Sequence, residues 1–121
     1  MTETQIRLSV VITVFTVAAG VFDSLAFHYS AGMWQGGRLV LAQAAKAAGS
    51  FAVGIVLYWV AIRYLGEVGV VLPEIQTLIW FAVTIVGVAV LGGRFLQMPV
   101  LDQIVAGNAL VSLGWLIVRT S

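Results

Sequence analysis

The chain has 121 residues, of which 61% are hydrophobic and only 11 carry a formal charge, six Lys or Arg against five Asp or Glu. An average soluble domain is about 25% charged; here the fraction is 9% and the mean hydropathy is +1.07, so a soluble globular protein is excluded. A net charge of +1 without a basic cluster excludes nucleic-acid binding. The absence of Cys excludes disulfides and thiolate metal sites.

Charged residues divide the chain into four apolar stretches, each of roughly the 20 residues that one membrane crossing requires. The expected spans are roughly 8–30, 40–62, 70–91 and 100–118. The connections are short, and short connections make successive helices antiparallel neighbours. The fold class expected is all-α integral membrane, with four transmembrane helices in a compact antiparallel bundle forming one domain over residues 1–121. The first stretch is not read as a signal peptide, because Glu3 precedes it and the apolar run is too long. Arg7, Arg63 and Arg119 fall on one side of the membrane and Arg38 and Arg94 on the other, joined by Lys46 if it snorkels there, so the count is three against two or three. The positive-inside rule therefore gives almost no orientation bias. Either Arg7 and Arg119 suffice to fix one orientation, or the chain inserts both ways and forms an antiparallel homodimer.

Polar groups inside a bilayer should face the bundle interior. In the first helix, Thr13, Thr16, Gly20, Asp23, Ser24 and Phe27 share one arc at 100° per residue. Asp23 lies near the middle of the span, where a carboxylate is costly and by default functional. It suits a proton carrier, or it lies nearer the interface, or it pairs with Lys46 to lock two helices. In the second helix, Gln43, Lys46, Ala47, Ser50, Gly54 and Ala61 share a face. Lys46 either snorkels to the interface or turns inward toward Asp23 or an anionic ligand.

In the third helix, Gly69, Pro73, Gln76, Thr77, Trp80, Thr84 and Gly87 form an arc, with Glu74 at its edge. Pro73 and Glu74 suit a helix start; Glu74 is alternatively a second membrane acid. Trp80 is mid-helix, away from the interfacial belt, and serves as packing or as an aromatic wall for a cation. In the fourth helix, Gly107 and Gly114, with Asn108 and Ser112, give a small-residue face suited to helix association. Asp102 and Gln103 are expected to cap its first turn. His28 and Trp115 read as interfacial residues. No constellation for covalent catalysis is visible, so no enzyme and no cofactor is expected.

Leu65-Gly66-Glu67-Val68-Gly69 before the third helix, Leu91-Gly92-Gly93-Arg94-Phe95 after it, and Gly107-Asn108-Ala109-Leu110-Val111-Ser112-Leu113-Gly114 in the fourth occur in the order seen in one family. With the first-helix acid, they resemble the small multidrug resistance family of the drug/metabolite transporter superfamily. The last segment is similar to that family's G-x-x-L-[IV]-x-x-G pattern. The resemblance implies an antiparallel dimer in the bacterial inner membrane and proton-coupled export of a small cationic or amphipathic compound. It implies that Asp23 is the shared proton and substrate site. The candidate residues around it in this chain are Ser24, Lys46, Glu74, Gln76 and Trp80, of which Lys46 and the extra acid Glu74 depart from the family's pattern. It also implies that Gly107, Ser112 and Gly114 form the dimer contact. The family uses Glu where this chain has Asp, and Gly20 falls nearer the family's position. A related branch moves lipid-linked (undecaprenyl-phosphate) aminosugars, and an anionic head of that kind would suit Lys46. A third possibility is an accessory subunit of a larger membrane complex, in which Asp23 and Lys46 form a structural pair.

Overall fold

Residues 2–120 are described by a computed structural model. Four helices account for most of them: α1 (Glu3–Ala31), α2 (Leu41–Glu67), α3 (Pro73–Gly92) and α4 (Val100–Thr120). All four are long and apolar enough to cross a membrane. A small antiparallel hairpin, β1 (Trp34–Gln35) with β2 (Arg38–Leu39), joins α1 to α2. A 3-10 turn at Phe95–Gln97 precedes α4. The all-α, four-helix membrane architecture expected from the sequence is the one observed.

Local chemistry sets the helix ends. α1 starts ahead of its apolar run because Thr2 and Gln5 form a reciprocal capping box. Arg7 reaches back to Glu3 at 3.3 Å, a solvated pair on the first turns. The hairpin turns through Gly36 and Gly37 at φ 59° and 76°. A two-residue turn that matches strand twist needs positive φ at both centres, which glycine adopts without steric cost. The charge-delimited spans did not anticipate this hairpin, although Gly-Gly between Trp34-Gln35 and Arg38-Leu39 is its signal. α3 opens with Pro73 at its first position and Glu74 in its first turn, and ends at Gly93 in the left-handed region. At the start of α4, Gln103 Nε2 donates to the carbonyls of Leu96 and Met98 at 3.1 and 3.0 Å. Asp102 also lies in that first turn.

α1 is the central helix. Against α2, Asp23 meets Gly54, Phe27 meets Phe51 and Gly32 meets Gln43, so the two run antiparallel. Against α3, Gly20 meets Val83, Ser24 meets Gly87 and His28 meets Gly92, so these two run parallel. Apart from the Phe27–Phe51 ring pair, these contacts fall where one partner has no side chain. Lipid tails are as apolar as leucine, so helices in a bilayer associate by close approach rather than by hydrophobic exclusion. Gly20, Gly54 and Gly87 provide that approach. The core gathers Ala19, Tyr58 and Ala61, with Phe15, Leu57 and Trp80 packed around them. α4 lies outside this core, mainly against α3, and none of its spanning window is buried.

Candidate functional site

Asp23 and Ser24 are the largest side chains that are fully buried, each at 0% exposure. Asp23 lies about 12 Å before the end of α1 at Ala31, at 1.5 Å rise per residue, well inside a hydrocarbon core about 30 Å thick. Gly54 of α2 leaves the space its carboxylate fills: a Cβ there would overlap Oδ1 and stand 2.9 Å from Cγ. The indole N–H of Trp80 on α3 donates to Oδ2 at 2.6 Å. Oδ1 is buried and has no hydrogen-bond partner. The carboxylate is thus held by one oxygen and open at the other.

No cation accompanies it. Lys46 is exposed, with its ammonium 5.7 Å from the Tyr29 ring, so the Asp23–Lys46 pair considered from the sequence is not formed. Among the described residues the one salt bridge is Arg7–Glu3. An unpaired ion inside a bilayer costs several kcal/mol, so this arrangement is unexpected of a purely structural residue. Glu74 is exposed on the first turn of α3, where the helix dipole favours a carboxylate. It is not part of the Asp23 cluster.

Ser24 is satisfied: its hydroxyl donates to the Gly20 carbonyl at 2.5 Å and, at 3.4 Å, to that of Thr84. It pins α1 to α3 rather than facing an open space. Two further buried hydroxyls, Thr16 and Thr84, lack partners. Thr13 and Phe27, placed on the interior arc by periodicity, are exposed.

Trp80 joins this buried acid to the outside. Besides bonding Asp23, it lines a cleft of about 270 Å³ between α2 and α3, together with Tyr58, Trp59, Gln76 and Thr77. The ring also meets Phe81 edge-on at 5.0 Å. Tyr58 donates its hydroxyl to the Gln76 carbonyl, and Gln76 Nε2 donates to the Val70 carbonyl at 3.2 Å. The Gln76 side chain therefore fixes the start of α3 while its carbonyl anchors the tyrosine. Tyr58 and the cradle glycines Gly54 and Gly87 were not singled out as site residues. Tyr58 follows Gly54 by four residues and precedes Ala61 by three, a spacing that marks it as sharing their face.

On α4, a Cβ at Gly107 or Gly114 would meet nothing within 4 Å, and Ser112 bonds only along its own helix, to the Asn108 carbonyl at 2.9 Å. These three residues face no other helix of the same chain. Among the described residues, no three His, Asp or Glu gather as a metal centre would require. Comparison with protein-family models, with curated proteins and with solved structures finds no match.

Proposed function

We propose that this chain is a small multi-pass secondary transporter of the bacterial inner membrane, exchanging protons for a small cationic or amphipathic compound, with Asp23 as the shared site. One observation carries the reading: a fully buried carboxylate has one oxygen on Trp80, the other unpartnered, and no countercharge. A proton on Oδ1 neutralises the group in the closed state. A cationic substrate supplies the countercharge instead, and the proton departs to water. Because Asp23 is sealed within the chain, access requires Trp80 to swing away, which opens the acid to the α2–α3 cleft. The aromatic walls of that cleft, Tyr58, Trp59 and Trp80, suit an organic cation on its way in. Export follows if the outward- and inward-open states bind proton and substrate with different affinities. The reading includes a dimer, and the uncovered glycines of α4 are the surface it would use.

The test is proton release from the purified protein in weakly buffered detergent, on adding a panel of quaternary ammonium and guanidinium compounds. Wild type is expected to release protons and Asp23→Asn to release none. Equal release by both would remove Asp23 from the mechanism; no release from folded wild type would remove proton exchange altogether. The uncovered α4 also favours a second reading, an accessory subunit seated against a larger partner. Gentle purification from native membranes would then recover that partner at fixed stoichiometry. A subunit moving lipid-linked aminosugars would require an anionic head to engage Lys46, which is exposed near the start of α2.

A further inference from the structure

A larger cleft lies on the other side of α3. Its volume is about 800 Å³, and it is bounded by α3, α4 and the last turns of α1. Small-molecule sites commonly fall between about 300 and 1,000 Å³. The lining changes with depth. Arg94 and His28 stand at the end near the α3–α4 connection, and Ile85, Val86 and Leu110 line the deeper part. From Gly92, the last residue of α3, to Ile85 the helix rises about 10 Å at 1.5 Å per residue. Half of a hydrocarbon core about 30 Å thick is about 15 Å. With Arg94 just beyond the helix end, the cleft extends from headgroup level through most of the depth of one leaflet.

Its charge is one-sided. No Asp or Glu lines it, and Arg94 forms no salt bridge among the described residues. We propose that the α3–α4 cleft binds one anionic phospholipid, with the phosphate on Arg94 beside His28 and an acyl chain between the two helices. Arg offers a planar fork that meets phosphate oxygens in pairs. The uncovered glycines of α4, Gly107 and Gly114, which the dimer reading uses, lie outside this cleft, so a lipid here and a second copy there would occupy different faces. A bound acyl chain also accounts for α4 standing away from the α1–α3 core. Lipid tails do not discriminate between lipids in a cleft of this kind, so the preference rests on the head.

The test titrates the purified chain in detergent with phosphatidylglycerol or phosphatidylcholine and counts bound lipid by native mass spectrometry. Wild type is expected to hold one phosphatidylglycerol per chain, about tenfold more tightly than phosphatidylcholine. Arg94→Gln should erase that preference. Ala106→Trp, which fills the cleft from α4, should lower occupancy by both lipids, and Arg119→Gln, at the far end of α4, should change neither. Three results would overturn the proposal: phosphatidylglycerol preference surviving Arg94→Gln, full occupancy surviving in folded Ala106→Trp, or no stoichiometric lipid on wild type. A lipid-independent dimer abolished by Ala106→Trp would instead assign the cleft to a second copy.

Discussion

Gly54→Ala puts a methyl group where the Asp23 carboxylate now lies. The added Cβ overlaps Oδ1, stands 2.9 Å from Cγ and 3.3 Å from the Ala19 carbonyl oxygen. Asp is too short to withdraw far, and Oδ2 is tied to Trp80. Either the carboxylate leaves the indole or α1 and α2 move apart. Overpacking of this kind costs about 1–3 kcal/mol. The exchange also removes a mid-helix glycine, a gain of about 1 kcal/mol in propensity. Gly49→Ala isolates that gain, because a Cβ at Gly49 meets nothing within 4 Å. The quantity to measure is therefore the difference between the two variants, expected at about 1–3 kcal/mol with Gly54→Ala the less stable. Reversible unfolding in mixed micelles gives it. Repeating the pair in an Asp23→Ala background removes the obstructing carboxylate, and most of the difference should vanish. A difference unchanged within about 0.5 kcal/mol between backgrounds would refute the claim that Gly54 exists to seat Asp23.

Trp80→Phe keeps the ring but deletes the donor to Asp23; we expect a loss of about 0.6–1.7 kcal/mol in the same unfolding assay, with altered proton release on adding cations. Gly87→Ala should weaken the fold, since its Cβ would meet the Ser24 hydroxyl and, at 3.1 Å, the Gly20 carbonyl; thermal unfolding checks this. Gly107→Leu should leave the unfolding midpoint of the single chain unchanged and weaken self-association, read by cross-linking across a detergent dilution series. Gly36→Ala and Gly37→Ala each force a side chain into positive φ, at a cost of about 1–2 kcal/mol apiece, visible as a lowered unfolding midpoint.

The intramembrane acid was legible because bilayer cost alone singles out a carboxylate in an apolar run. Its partner was not. Trp80 sits on a different helix, and periodicity gives its direction on α3 without saying which helix it faces. Periodicity overreached at Thr13 and Phe27, which share Asp23's arc but are exposed, Phe27 keeping only its edge contact with Phe51. Thr13 satisfies its hydroxyl on its own helix, at the Ser9 carbonyl. Lys46 shared a face with Gly54, yet its long stem carries the charge away from the interior.

Composition by itself determined that the chain crosses a membrane four times, because so few charges cannot coat a soluble surface and each apolar stretch matches the bilayer. Short connections determined that neighbouring helices alternate in direction. Only the tertiary structure decided which faces meet. α2 and α4 have nearly equal hydropathy over their spanning windows, 1.6 and 1.5, yet 22% of one and none of the other is buried. Hydropathy reports transfer from water into lipid, and both helices make that transfer. Whether a helix then leaves lipid for protein depends on how closely backbones approach. That is set by Gly20, Gly54 and Gly87 meeting specific partners across the bundle, a pairing that no single stretch of sequence contains.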